Sequence, residues 1–215
     1  MQELKASYLG AHEIVITYWR AYGGISAVAR SPYFHLAILL TAILYGLWST
    51  PGWWELPISI LPSVIGFSIG GFAIWLGFGD SEFRRVVSMK EPGEAFSPYL
   101  VVTASFVHFI VLQFTALLYA LIAKGFWFVP ESGGIIEAVM TTPIIRNLVS
   151  DAAPVLGYIG MLLFIYALLS GLASTFAIFR FSRLFETVTN SQARRHESHE
   201  AGNLETDSPS DDSTS

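Results

Sequence analysis

Few side chains in this 215-residue chain are of types that do chemistry, and the most conspicuous is His108, the one ionisable residue well inside a long apolar run. An ionisable group at membrane depth is a functional candidate by default, as a proton relay, a ligand contact or a pH sensor. The plainer role is a neutral imidazole hydrogen-bonded to a Ser, Thr or carbonyl of a neighbouring helix. Thr103, Ser105, Gln113 and Thr115 make its run, 99–123, the most polar of the apolar stretches. Helical spacing places Ala104, His108, Val111 and Thr115 on one face and turns Gln113 elsewhere. A polar face of that kind belongs toward other helices, because lipid cannot satisfy it.

Gly77-Phe78-Gly79-Asp80 matches the GxGD pattern of intramembrane aspartyl proteases. That chemistry needs two carboxylates close enough to share a proton. The other aspartates are Asp151, which the charge pattern puts on the opposite side of the membrane, and Asp207, Asp211 and Asp212 in the tail. No second carboxylate faces Asp80, so it reads as an acid at the end of a span. His196 and His199 lie in a polar segment without further metal ligands. There is no HExxH, P-loop or GxSxG string. With no cysteine, disulfides, thiolate metal sites and Cys nucleophiles are excluded. The basic residues flank apolar runs, which gives no support for nucleic-acid binding. The expectation is a non-enzymatic protein without cofactor or metal.

The elements that hold these residues follow from composition. Hydrophobic residues make up 53% of the chain and charged residues 13%, about half the charged share of a soluble domain. Residues 1–30 read as an amphipathic helix at the cytoplasmic membrane interface or on a partner, with Tyr8, Tyr18, Trp19 and Tyr22 among Lys5, His12, Glu13 and Arg20; Gly23-Gly24 ends it. The first thirty residues lack the continuous apolar run of a cleavable signal peptide. Residues 31–185 then hold four spans, at about 33–49, 57–79, 99–123 and 154–179. Ser31-Pro32 and Ser97-Pro98 are start signals, a capping serine followed by a proline at the first helical position. Trp48, Trp53 and Trp54 cluster in the first tight loop as an aromatic belt. Segment 135–149 is too short and polar to cross and reads as a surface helix interrupted at Pro143. The stretch 186–215, rich in Ser, Thr, Asp and Glu, reads as a disordered acidic tail.

Two spans carry stripes of small residues. In the second, Ser59, Ser63, Gly66, Gly70, Ala73 and Gly77 recur at steps of three and four, with a GxxxG string from Gly66 to Gly70. In the fourth the stripe is Gly160, Ala167, Gly171 and Ser174. The stripes could pair with each other or join two copies of the chain. Residues 40–47 and 114–121, Leu-Thr-Ala-Ile-Leu-Tyr-Gly-Leu and Phe-Thr-Ala-Leu-Leu-Tyr-Ala-Leu, leave a duplication of hairpins open.

Ten of the twelve Lys and Arg residues fall on the N-terminal arm, the 80–98 connector and the C-terminal side; only Lys124 and Arg146 lie in the other loops. By the positive-inside bias both termini are cytoplasmic. The sequence thus describes an all-α integral membrane protein, a four-helix bundle in a bacterial inner membrane. Its functional expectation is an oligomerising membrane component that engages a cytoplasmic protein. A small channel or transporter with a polar face around His108 is the alternative, and an intramembrane enzyme using Asp80 the distant one.

Overall fold

A computed structural model describes residues 2–77, 88–89, 93–126 and 142–206. The regular secondary structure of those residues is entirely helical: α1 (Gln2–Tyr22), α2 (Gly24–Arg30), α3 (Pro32–Ile43), α4 (Tyr45–Trp48), α5 (Glu55–Gly77), α6 (Pro98–Phe126) and α7 (Pro143–Thr206). Three stretches are each long and apolar enough to cross a membrane: α5, α6 and the Asp151–Arg180 part of α7. A fourth passes that test only as a bent pair, α1–α2 with α3, at 44°. The chain therefore has three to four candidate crossings.

The helix boundaries follow local chemistry. Gly23, at φ 104°, ends α1 in the left-handed region, and its N–H bonds back to the carbonyls of Trp19 and Arg20. Ser31 and Pro32 start α3, although the Ser31 hydroxyl makes no cap bond. Ser97 and Pro98 start α6, and there the Ser97 hydroxyl accepts from the Leu100 N–H at 3.3 Å. Gly52, at φ 95°, sets the turn that leads into α5.

Several boundaries differ from the sequence expectation. The span at 33–49 is not one helix: it breaks at Leu44, between α3 and α4. Twelve residues rise only about 18 Å, well short of a hydrocarbon core of about 30 Å, so α3 by itself is too short to cross. The fourth expected span, at about 154–179, falls within the Asp151–Arg180 stretch. Its helix begins earlier, at Pro143, and carries Pro154 inside it, so 143–149 continues into the same helix instead of being interrupted from it. Proline is compatible with a helix start because the missing N–H would be unpaired there, whereas at Pro154 one backbone bond is forfeited. In the polar C-terminal stretch the backbone is helical to Thr206, where composition predicts disorder from 186. Good helix formers, Gln192-Ala193-Arg194-Arg195 among them, run there without proline.

The chain divides into two compact units, Met1–Thr175 and Phe176–Ser215. Within the first, side-chain contacts fix the register. Helices α5 and α6 are antiparallel, with Glu55 against Lys124, Ser68 against Gln113 and Trp75 against Thr103. Helix α7 is antiparallel to α6, with the Tyr119 hydroxyl on the Leu156 carbonyl and the Ser174 hydroxyl on the Ser105 carbonyl. The α3–α4 segment runs antiparallel to α7, Phe34 of α3 packing on Tyr166 and Trp48 of α4 on Tyr158.

The core lies among Ala37, Leu61, Ala116, Ala120, Met161, Phe164 and Ala167, closed at the loop end by Trp53 and Trp54. Four of its best-buried members are alanines, which let helix backbones approach closely. In a bilayer that approach matters more than apolar burial, since lipid is as apolar as leucine.

Candidate functional site

The two small-residue stripes meet opposite surroundings. On α7, Ala167 and Ser174 are buried along with Gly160, and Gly171 is half-buried. A Cβ added at Gly160 would collide with the Trp53 ring, and one at Gly157 with the Trp48 carbonyl oxygen. At Gly171 an added Cβ would stand 2.6 Å from Phe109. Those glycines are the sockets into which Trp53, on the α4–α5 loop, and Phe109, on α6, fit.

On α5, all six stripe residues, Ser59, Ser63, Gly66, Gly70, Ala73 and Gly77, are exposed. Among the described residues, nothing lies within 4 Å of a Cβ built on Gly66, Gly70, Gly71 or Gly77. The face of α5 that packs in this chain is the other one: Pro57, Leu61, Ile65, Ser68 and Trp75. The α5 stripe therefore does not pair with the α7 stripe of the same chain.

His108 is 4% exposed and sits ten residues into α6 from Pro98, about 15 Å along the axis. Its surroundings come from three elements. The Tyr18 hydroxyl of α1 is 2.9 Å from Nδ1. The Tyr166 hydroxyl of α7 is 3.5 Å from Nε2, and the Tyr22 hydroxyl is 3.5 Å from that of Tyr166. The Tyr22 ring stacks on the imidazole, with centroids 3.8 Å apart and planes at 20°. Trp19 lies tilted at 6.1 Å, and Phe34 meets Tyr166 edge-on at 5.2 Å. Phenol hydroxyls both donate and accept, so either neutral tautomer of His108 is satisfied. What the arrangement does is join α1, α6 and α7 at one point.

The polar residues of α6 do not gather around His108. Gln113 is fully buried and donates from Nε2 to Ser68 Oγ at 2.9 Å, while that hydroxyl donates to the Val64 carbonyl at 2.6 Å. Thr115 is exposed and bonds the Val111 carbonyl of its own helix. The expected polar face of Ala104, His108, Val111 and Thr115 is thus buried only at its upper half. Helix α1 covers His108, whereas Val111 and Thr115 one and two turns on are open. Gln113, placed elsewhere by spacing, is the buried member. Trp75 Nε1 donates to Thr103 Oγ1 at 3.2 Å, which accounts for another polar group of α6.

Residue spacing does not single out the aromatic partners of His108. Tyr18, Trp19 and Tyr22 resemble interfacial anchors by type, and their packing brings the C-terminal turn of α1 into the bundle instead of leaving it on its surface. Tyr166 carries a usable signal: a phenol in mid-span needs a hydrogen-bond partner.

Asp80 lies outside the described residues, and His196 and His199 belong to the Phe176–Ser215 unit. Among the described residues no group of three His, Cys, Asp or Glu side chains could hold a metal ion. Comparison with protein-family models, characterised proteins and solved structures gives no match.

Proposed function

We propose that this chain is a non-enzymatic multi-pass membrane component that assembles with copies of itself through the bare face of α5 and engages a cytoplasmic protein. The observation behind this reading is that the six-residue stripe on α5 is unpacked by the described residues of its own chain, while the shorter one on α7 is filled. Exposed glycines at steps of three and four let a second helix approach to backbone distance, which is how membrane helices associate without a hydrophobic driving force. The Lys/Arg asymmetry supports cytoplasmic termini and an inner-membrane setting. The polar C-terminal stretch, together with those termini, supports a cytoplasmic partner.

The test is Gly70→Leu with oligomer size read in detergent and in native membrane. The reading requires a smaller assembly with the monomer fold intact; an unchanged size in both settings contradicts it.

A channel or small transporter working at His108 is the second reading, supported by the hydrogen-bonded cluster at membrane depth. Against it, the polar atoms of that cluster are satisfied by one another. A pH-dependent conductance abolished by His108→Ala would favour it over the first. An enzyme centred on Asp80 stays last; turnover of a lipid or peptide substrate, lost in Asp80→Asn, would reverse that order.

A further inference from the structure

We propose that α1 is a hinged strap, latched over His108 by Tyr18 and Tyr22, whose release uncovers His108 and Tyr166 together on the side of the bundle. The attachment is local. Every residue from 5 to 15 is exposed, Ala21 is the one fully buried residue of the described part of α1, and Tyr18, Trp19 and Tyr22 are half-buried. A helix seated along its length shows burial recurring every three or four residues; α1 shows it only in its last two turns.

The latch is mainly polar and aromatic: one hydrogen bond at 2.9 Å, one stacked ring and hydroxyl contacts at 3.5 Å. Hydrogen bonds between helices at membrane depth are worth only about 0.6–2 kcal/mol each, because separated helices find other partners. Directly after the latch come Gly23 at φ 104° and Gly24 at φ 64°. Two successive left-handed glycines form a joint that other residues do not readily adopt, and hinges are commonly a few residues of this kind at element ends. A free arm, a short latch and a joint next to it are the parts of a strap. The groups facing His108 from the strap and from α7 are Tyr18, Trp19, Tyr22 and Tyr166, so strap position decides whether the imidazole meets α1 or its surroundings. This inference does not depend on self-assembly through α5.

The chain has no cysteine, so paired spin labels report cleanly. Gly10→Cys with Leu118→Cys measures α1 against α6, and Leu118→Cys with Leu172→Cys measures α6 against α7; Gly10 has open space around it and the other two are exposed. Distances are read by pulsed electron resonance on the full chain in lipid nanodiscs. The parent is expected to give one dominant distance for Gly10–Leu118. Tyr18→Phe combined with Tyr22→Leu is expected to raise a second, displaced population roughly tenfold, as loss of hydrogen bonds worth about 1 kcal/mol apiece requires, while the Leu118–Leu172 distance stays fixed. An unchanged Gly10–Leu118 distribution in that variant overturns the proposal. So does broadening of both distances together, which would make the tyrosines part of the bundle's general stability.

Discussion

Two stripes of small residues, nearly interchangeable as patterns, do opposite things in this molecule. The α7 stripe is a set of sockets: Trp53 occupies the space over Gly160 and Phe109 that over Gly171, while the Trp48 carbonyl fills that over neighbouring Gly157. The α5 stripe is a bare rail, flanked by Phe67 and Ile74, which are among the most exposed large side chains of the fold. The difference lies in the rest of the chain, not in the stripes. A glycine face becomes an internal contact where a large aromatic arrives from elsewhere to fill it. Where none arrives, the same face is left for lipid or for another helix.

That contrast can be broken from either side. The largest effect is expected at the filled stripe. Gly160→Leu forces Trp53 out, and overpacking of this kind costs about 1–3 kcal/mol or more; lower thermal stability of the purified monomer in detergent checks it. Gly70→Leu, the matching change on the bare stripe, is expected to leave that stability within about 0.5 kcal/mol, as for surface sites generally, while reducing the assembled size on gel filtration. Equal destabilisation by both would erase the distinction.

Between these sits the polar clamp that orients α5. Gln113→Leu leaves Ser68 with only its own-helix bond, and an interhelical hydrogen bond in a membrane is worth about 0.6–2 kcal/mol. Chemical unfolding should show a loss in that range. The smallest effect is expected at the rim. Glu55 and Lys124 pair at 2.8 Å but are each more than half exposed, so Glu55→Gln should cost at most about 1 kcal/mol, less as salt is added. A loss independent of salt would show that the pair orients α5 by more than charge.

Long uncharged runs make α5, α6 and the membrane part of α7 legible in the sequence, because about twenty apolar residues in a row have few other uses. The bent course of the first candidate crossing is less legible there. The break at Leu44 lies in sequence that is apolar on both sides, and 40–47 differs from the similar 114–121, which runs unbroken through α6, chiefly in Gly46 against Ala120, a weak helix-breaking signal. The role of α1 is hidden for a different reason. Tyr18 and Tyr22 have the amphipathic character of interfacial residues, and only tertiary structure brings them to His108, ninety positions from Tyr18. Gln113 and Thr115 show the limit of periodicity most directly. Spacing orders residues around a helix, but which sector is buried changes along the axis as neighbours begin and end.

The orientation of the α5 stripe is the claim on which the functional reading stands, and crosslinking tests it most directly. In a cysteine-free background, Gly70→Cys and Gly160→Cys are introduced one at a time and oxidised in native membranes. The predicted result is a disulfide-linked dimer from Gly70→Cys and none from Gly160→Cys. Absence of the Gly70→Cys dimer, or its appearance at both positions alike, would contradict an outward-facing, self-associating α5.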